Sequence, residues 1–114
     1  MRTAYCPKSH GELANVKVGK EYGHVPGHQY HDVAVVVSTR NGKFRCHVCE
    51  SWGSSQGYDE EHGRSEVIGR GDSISQACAE SKSRAIAAGI QPNFLVQAIS
   101  QAEDSAEECL VDAK

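Results

Sequence analysis

The stretch DVAVVVSTRNGKFRCHVCES, residues 32–51, carries the strongest structural signal in this chain. Two runs rich in β-branched residues flank Asn41 and Gly42, a dipeptide that readily adopts the two positive φ angles of a type I′ turn. The pattern therefore predicts an antiparallel β-hairpin with strands at residues 33–39 and 43–49.

The two-residue turn also predicts which residues face each other. With Asn41 and Gly42 in the loop, Arg40 faces Lys43, and the pairing continues outward one residue at a time. Directly opposed residues share a sheet face, and successive residues alternate between faces. The predicted core face carries Val35, Val37, Thr39, Phe44, Cys46 and Val48, and the other face carries Ala34, Val36, Ser38, Arg45, His47 and Cys49.

Weaker strand signals lie on both sides of the hairpin. LANVKV, residues 13–18, alternates apolar and polar side chains and is predicted to be an edge strand. SWGSSQGYDEEHGR, residues 51–64, is predicted to be a long polar loop, and RSEVIGRG, residues 64–71, a short strand after it.

Two helices are predicted in the last third of the chain. Ser73 and Gln76 have the spacing of a capping box, Gly89 stands where a C′ residue is expected, and Pro92 suits the first turn of a second helix. The predicted buried positions are Ile74, Ala77, Cys78, Ser81, Ala85 and Ala88 on the first helix and Phe94, Leu95, Ala98 and Ile99 on the second. The fold class is therefore α+β, with an antiparallel sheet of three to four strands covered on one face by one or two C-terminal helices.

Length and charge predict a single domain with an acidic tail. The 114 residues suffice for one modest core, which we assign to residues 1–100. Residues 101–114 are predicted to be an acidic tail, and they hold five of the carboxylates in a chain of net charge −3. The basic surplus that is typical of phosphate binders is absent.

The same composition predicts a cytoplasmic protein that does not associate with a membrane. No apolar run approaches the length of a membrane span, and the sequence starts without the apolar region of a signal peptide. Five cysteines, an odd number without the spacing of secreted scaffolds, favour reduced thiols. If a phage encodes the protein, the compartment is the cytoplasm of the host cell.

The sequence gives little support for catalysis or for metal binding. HExxH, GxSxG, P-loop and dinucleotide-binding motifs are absent, so the protein is predicted not to be an enzyme. No cofactor is predicted, with zinc as the open alternative, because His28, His31, Cys46 and Cys49 supply the ligand types of a tetrahedral site. The predicted register opposes that alternative, because it turns the two cysteines to opposite faces.

The region between Tyr22 and Gly89 resembles a double-stranded-RNA-binding domain. GHVPGH precedes a strand as the proline-containing loop of that family does, and GRGDSISQACAESKSRAIAAG is similar to its alanine-rich second helix. The sequence lacks the lysine run that starts that helix in the family, and it lacks the first helix. The resemblance implies a βββα core and, as an alternative function, binding of double-stranded RNA or DNA through Arg64, Arg70, Lys82 and Arg84.

The function predicted from these features is that of a small non-enzymatic binding protein that acts through a protein partner. Its general character is similar to that of phage accessory proteins such as anti-CRISPR inhibitors, for which the partner is a host protein or protein complex. Carboxylates in such inhibitors can occupy a basic groove that otherwise holds nucleic acid. The candidate partner-binding residues are Trp52, Tyr58, Arg45, His47, Glu103, Asp104, Glu107 and Glu108.

Overall fold

A four-stranded antiparallel sheet precedes two helices along the chain, and this confirms the predicted α+β class. The structure, a computed structural model, describes residues 10–22, 29–56, 59–90 and 92–112. Each strand pairs with its neighbour in sequence, so the order across the sheet is that of the chain. The elements are β1 (His10–Tyr22), β2 (Gln29–Arg40), β3 (Lys43–Gln56), β4 (Asp59–Gly71), α1 (Ile74–Ala87) and α2 (Pro92–Asp112).

The turn between β2 and β3 has the geometry that the sequence predicts. Asn41 and Gly42 both adopt positive φ angles, 53° and 79°. Arg40 pairs with Lys43, and the predicted register continues without a shift along the whole β2–β3 pair. Cys46 therefore lies on the core face, and Cys49 lies on the other face, as predicted.

The strands are longer than the sequence analysis predicts. Most of the predicted polar loop is instead strand: residues 51–56 form the end of β3 and residues 59–64 the start of β4, and the two strands pair without a register shift from Phe44 to Gln56. The predicted edge strand is confirmed as β1, which carries a bulge between Glu12 and Ala14.

The helices begin and end at the predicted signals. The Ser73 side chain accepts a hydrogen bond from the backbone N–H of Gln76 at 3.1 Å, and Gly89 has a φ of 87° directly after the Ala88 C-cap. Ala88 itself is exposed, so its predicted burial is wrong: at the C-cap it has left the face that packs on the sheet. Helix α2 starts at Pro92, as expected.

The core lies between the two helices and one face of the sheet. Helix α1 packs on β3 and β4, and helix α2 packs on β1 and β2. Apart from Ala88, the predicted buried positions are confirmed, with Phe44 and Phe94 only partly buried at the margin. The residues with no more than 2% exposure that fill the centre are Val33, Val35, Val37, Cys46, Val48, Ile74, Ala77, Cys78, Leu95 and Ala98.

Helix α1 approaches β4 closely because the strand has a glycine at the contact. A Cβ atom at Gly69 would lie 2.3 Å from the backbone nitrogen of Ser81 and 2.4 Å from the backbone oxygen of Ala77. Any larger residue would push the helix away from the sheet, at a cost of about 1–3 kcal/mol for overpacking. This close contact buries Ser81 completely.

The acidic segment at residues 101–112 is a continuation of α2 rather than a separate tail. Ala102 and Ala106 are fully buried, and Leu110 is partly buried against the same core. Residues spaced by four share one face of a helix, so this apolar stripe holds the acidic turns in a regular helix.

Candidate functional site

Both helices lie on one side of the sheet, and no element of the described ranges covers the other side, which we call the open face. The strand register determines its membership. Its members include Glu12, Asn15, Lys17, Gly19, Asp32, Ala34, Val36, Ser38, Arg40, Lys43, Arg45, His47, Cys49, Ser51, Arg64, Glu66, Ile68 and Arg70.

The centre of the open face holds two apolar β-branched side chains with a histidine between them, and His47 Nε2 lies 3.8 Å from Glu66 Oε2. Val36 pairs with His47, and His47 pairs with Ile68, so the three side chains form one row across β2, β3 and β4. All three are only partly buried. Ala34 and Cys49 lie in the next row and extend this half-exposed region. The face of a sheet that contacts solvent normally carries polar side chains. The β-branched apolar residues at the centre of the open face depart from that pattern.

Like charges face each other at the turn end of the open face. Arg40 lies directly opposite Lys43, and Arg45 lies directly opposite Arg70. We call these four residues the basic patch. Directly opposed like charges destabilise a sheet, because the side chains of such a pair have Cβ atoms only about 5 Å apart.

Most other charges on the open face have an opposite charge beside them. Lys17 Nζ lies 3.3 Å from Asp32 Oδ2, and the Arg64 guanidinium contacts the Glu66 carboxylate. The pKa of Arg64 is raised because its guanidinium hydrogen-bonds Cys49 and Glu66.

Within the basic patch, the Lys43 ammonium contacts the Asp72 carboxylate. Among the described residues, the guanidinium groups of Arg40, Arg45 and Arg70 have no anionic partner within salt-bridge distance. These three groups therefore carry uncompensated positive charge at the turn end of the open face.

A shallow cleft of about 780 Å³ lies at the basic patch. It is lined by all four cationic side chains and by Ser38, Thr39, Asn41, Phe44 and Gly11. The cleft therefore places several hydrogen-bond donors and positive charges around one solvent-filled space, which suits a ligand with more than one oxyanion.

The predicted partner-binding residues fall on three parts of the molecule. Arg45 and His47 lie on the open face, as the register predicts. Trp52 lies on the opposite, helix-facing side of the sheet, and Tyr58 lies outside the described residues. The remaining four, Glu103, Asp104, Glu107 and Glu108, lie on α2.

Trp52 lies on β3 rather than in the predicted loop, and 42% of its surface is exposed. It pairs with Gly63 on β4, and a Cβ atom at Gly63 would lie 2.1 Å from the indole ring. The ring therefore covers the glycine backbone. Beside it is a pocket of about 480 Å³ that His31, Glu50 and Asn93 also line.

A histidine–carboxylate pair that the sequence analysis did not identify lies in this pocket. His31 Nε2 is 2.8 Å from Glu50 Oε2, and the His31 ring is 5.2 Å from the Phe94 ring between centroids. Glu50 is only 7% exposed although its side chain ends in a carboxyl group. Extending the predicted register by one step beyond Cys49 assigns Glu50 to the core face, so the signal for this position was present.

The residues proposed for nucleic-acid binding do not form one surface. Arg64 and Arg70 belong to the open face, whereas Lys82 and Arg84 lie on exposed positions of α1. Arg84 Nε lies 3.5 Å from Glu80 Oε1 one turn earlier, so its charge is partly offset.

The four residues of the zinc alternative are also not brought together. Cys46 is fully buried on the core face, and Cys49 is on the open face. His31 pairs with Glu50, and His28 lies outside the described residues. Within the described ranges, no three His, Cys, Asp or Glu side chains are grouped as metal ligands would be.

Two buried thiols meet in the core between β3 and α1. The pKa of Cys78 is raised because its thiol donates a hydrogen bond to the sulfur of Cys46 and because burial disfavours the thiolate. Ser81 Oγ is buried beside the two thiols, and its hydroxyl helps to lower the pKa of Cys46. The expected reduced thiols are found at Cys46, Cys49 and Cys78, whereas Cys109 is disulfide-bonded.

Comparisons with protein-family models, with curated proteins and with solved structures find no significant match for this chain. Within the described ranges, neither helix has the combined length and apolar character that crossing a membrane requires.

Proposed function

We propose that this chain is a small non-enzymatic binding protein that acts through a protein partner, and that the open face is its binding surface. The observation that carries the proposal is the row of Val36, His47 and Ile68 at the centre of a sheet face that no described element covers. Charged residues surround this row. An apolar centre with a polar rim is the usual anatomy of a protein interface.

The position of the row supports binding rather than folding as its role. The core forms on the other side of the sheet, where Val35, Val37 and Val48 are fully buried. Val36 and Ile68 contribute nothing to that core. Solvation of their apolar surface has a free-energy cost that a partner would remove by covering them.

Substitutions on the open face provide the test. Val36→Glu and Ile68→Glu place charges at its centre without touching the core, and Ile86→Glu is a matched control because Ile86 is 52% exposed on α1. We expect the parent and the control to capture the same proteins from a host lysate, and the two open-face variants to lose them. Equal capture by all four proteins would contradict the proposal.

The same experiment, repeated with nuclease, addresses the nucleic-acid alternative. Capture that survives nuclease supports a direct protein partner. Capture that disappears with nuclease supports the double-stranded RNA or DNA binder instead, for which affinity should also fall steeply with salt.

Helix α2 supports a second candidate, the inhibitor that mimics nucleic acid. It presents Glu103, Asp104, Glu107 and Glu108 on two successive turns of a regular helix, and three of the four are exposed. Such an inhibitor, phage-encoded in the anti-CRISPR manner, would bind a basic groove of a host nucleic-acid-targeting protein. Neutralising the four carboxylates should slow association with that partner, while Val36→Glu should leave it unchanged.

A further inference from the structure

We propose that the basic patch is a binding site for a carboxylate-rich segment of a protein partner. The inference rests on the proposed function and adds the chemistry that one end of the open face recognises. Arg40 opposite Lys43 and Arg45 opposite Arg70 are two adjacent like-charge pairs on one face.

The arrangement is unfavourable for the isolated protein. Two residues along a strand span about 7 Å, and neighbouring strands lie about 5 Å apart, so all four cations share a small area. Lys43 alone has an ion pair, with Asp72, among the described residues. A cross-strand pair is stabilised by opposite charges and destabilised by like charges. A ligand that supplies the missing negative charge removes this repulsion.

The chemistry of the patch suits carboxylates. Each guanidinium presents a planar set of N–H donors that can bind a carboxylate with two parallel hydrogen bonds. Arg40, Arg45 and Arg70 are exposed and line the same cleft of about 780 Å³. The cleft has room for several carboxylates, so a single acidic side chain would leave part of the charge unpaired.

The surroundings favour a protein segment over a nucleic-acid backbone. The charges that continue along the open face are already paired, as in Lys17 with Asp32 and Arg64 with Glu66, so the positive charge does not follow a path that a phosphate backbone could track. The two apolar side chains at the centre of the open face suit contacts with side chains of a protein.

The test uses the purified full chain and a hexaglutamate peptide at low ionic strength, where charge interactions are least screened. We expect the peptide to bind and to raise the thermal midpoint. Arg45→Gln with Arg70→Gln should weaken binding at least about tenfold, the factor for one lost charge-assisted hydrogen bond. The same variant without peptide should have a higher thermal midpoint than the parent, because the repulsion is gone.

Lys82→Gln with Arg84→Gln is the matched control, because it removes two positive charges from α1. This control should bind hexaglutamate as the parent does. The proposal is overturned if the control loses as much affinity as the Arg45 and Arg70 variant. The proposal is also overturned if sodium chloride at the same ionic strength raises the thermal midpoint as much as the peptide does, because general screening of charge would then explain the effect.

Two further arms distinguish the source of the oxyanions. Inorganic phosphate and a short RNA duplex are titrated under the same conditions. If the RNA duplex binds more tightly than hexaglutamate, the ligand of the basic patch is nucleic acid and the proposed acidic protein segment is wrong. If none of the anions binds, the proposed site at the basic patch is refuted. The proposed function rests on the central row of the open face, so the Val36→Glu and Ile68→Glu variants would still test it.

Discussion

His31 Nε2 lies 2.8 Å from Glu50 Oε2 at the end of the core, in a pocket that Gly89 and Asn93 also line. The two residues belong to neighbouring strands and point toward the helices. A carboxylate buried to this degree requires hydrogen-bond donors, because its desolvation is otherwise costly.

Replacing His31 with Leu should destabilise the protein. The change keeps apolar contact with Phe94 but removes one donor from the Glu50 carboxylate, so we expect a loss of about 1–3 kcal/mol in the free energy of unfolding. Glu50→Gln should cost less, because the neutral amide is easier to bury. Urea denaturation measures both values. An unchanged midpoint for His31→Leu would show that the pair contributes nothing.

Replacing Gly63 with Ala should displace the only tryptophan. The new Cβ atom would overlap the indole ring of Trp52, which must then move toward solvent. We expect the fluorescence emission to shift to longer wavelength. Ser51→Ala, on the open face next to Trp52 in sequence, should leave the spectrum unchanged. Identical spectra for Gly63→Ala and the parent would refute the packing of Trp52 on Gly63.

Thiol labelling of the native protein should distinguish the two faces of β3. A maleimide should modify Cys49 first, because Cys46 and Cys78 are fully buried in the core. Peptide mapping by mass spectrometry gives the order. Modification of Cys46 at the rate of Cys49 would mean that the register, or the packing of α1 on β3, is wrong.

Stability should fall at alkaline pH through Cys78. Its folded pKa is raised, so its contribution is fully present below the ordinary thiol value of 9.0 and is lost as the pH rises above that value. The unfolded thiol then ionises while the folded thiol stays protonated, and the slope approaches about 1.4 kcal/mol per pH unit for one proton. Because the Cys78 thiol lowers the pKa of the buried Cys46 thiol, removing Cys78 alone would leave burial to raise the pKa of Cys46. The double substitution Cys46→Ala with Cys78→Ala should therefore flatten this dependence in urea denaturation. The exposed-site control Ser75→Ala should not, and equal slopes for all three proteins would exclude the thiol pair as the cause.

Chelation should leave the fold unchanged. Cys46 and Cys49 point to opposite faces of β3 and cannot converge on one ion. We therefore expect less than one zinc per chain by elemental analysis and the same thermal midpoint with and without a chelator. A structural zinc would contribute folding free energy directly, so one bound zinc together with unfolding in chelator would restore the zinc alternative.

The hairpin was predictable because local and long-range signals agree there. Asn41 and Gly42 specify the turn, and the apolar alternation on both sides specifies the buried face. With that register extended by one residue, the position of Glu50 on the core face also follows.

The ends of β3 and β4 were not predictable from the same pattern. Apolar periodicity detects burial, whereas residues 51–56 and 59–64 form strands through backbone pairing with few apolar residues. The basic patch was missed for a related reason. Arg45 and Arg70 are 25 residues apart in sequence, and their opposition depends on the register of β3 with β4, which the predicted loop at residues 51–64 leaves unassigned.

The packing of α2 on β1 has a consequence for biosynthesis. Because β1 precedes α2 in the chain and leaves the ribosome before it, the apolar side of β1 at Leu13, Ala14 and Val16 stays uncovered while about seventy residues are still being added. The β2–β3 hairpin can form much earlier, since all its contacts are local. Nascent chains stalled before residue 92 should therefore expose the apolar face of β1 to chaperones. The chaperone should be released when α2 emerges and covers this face.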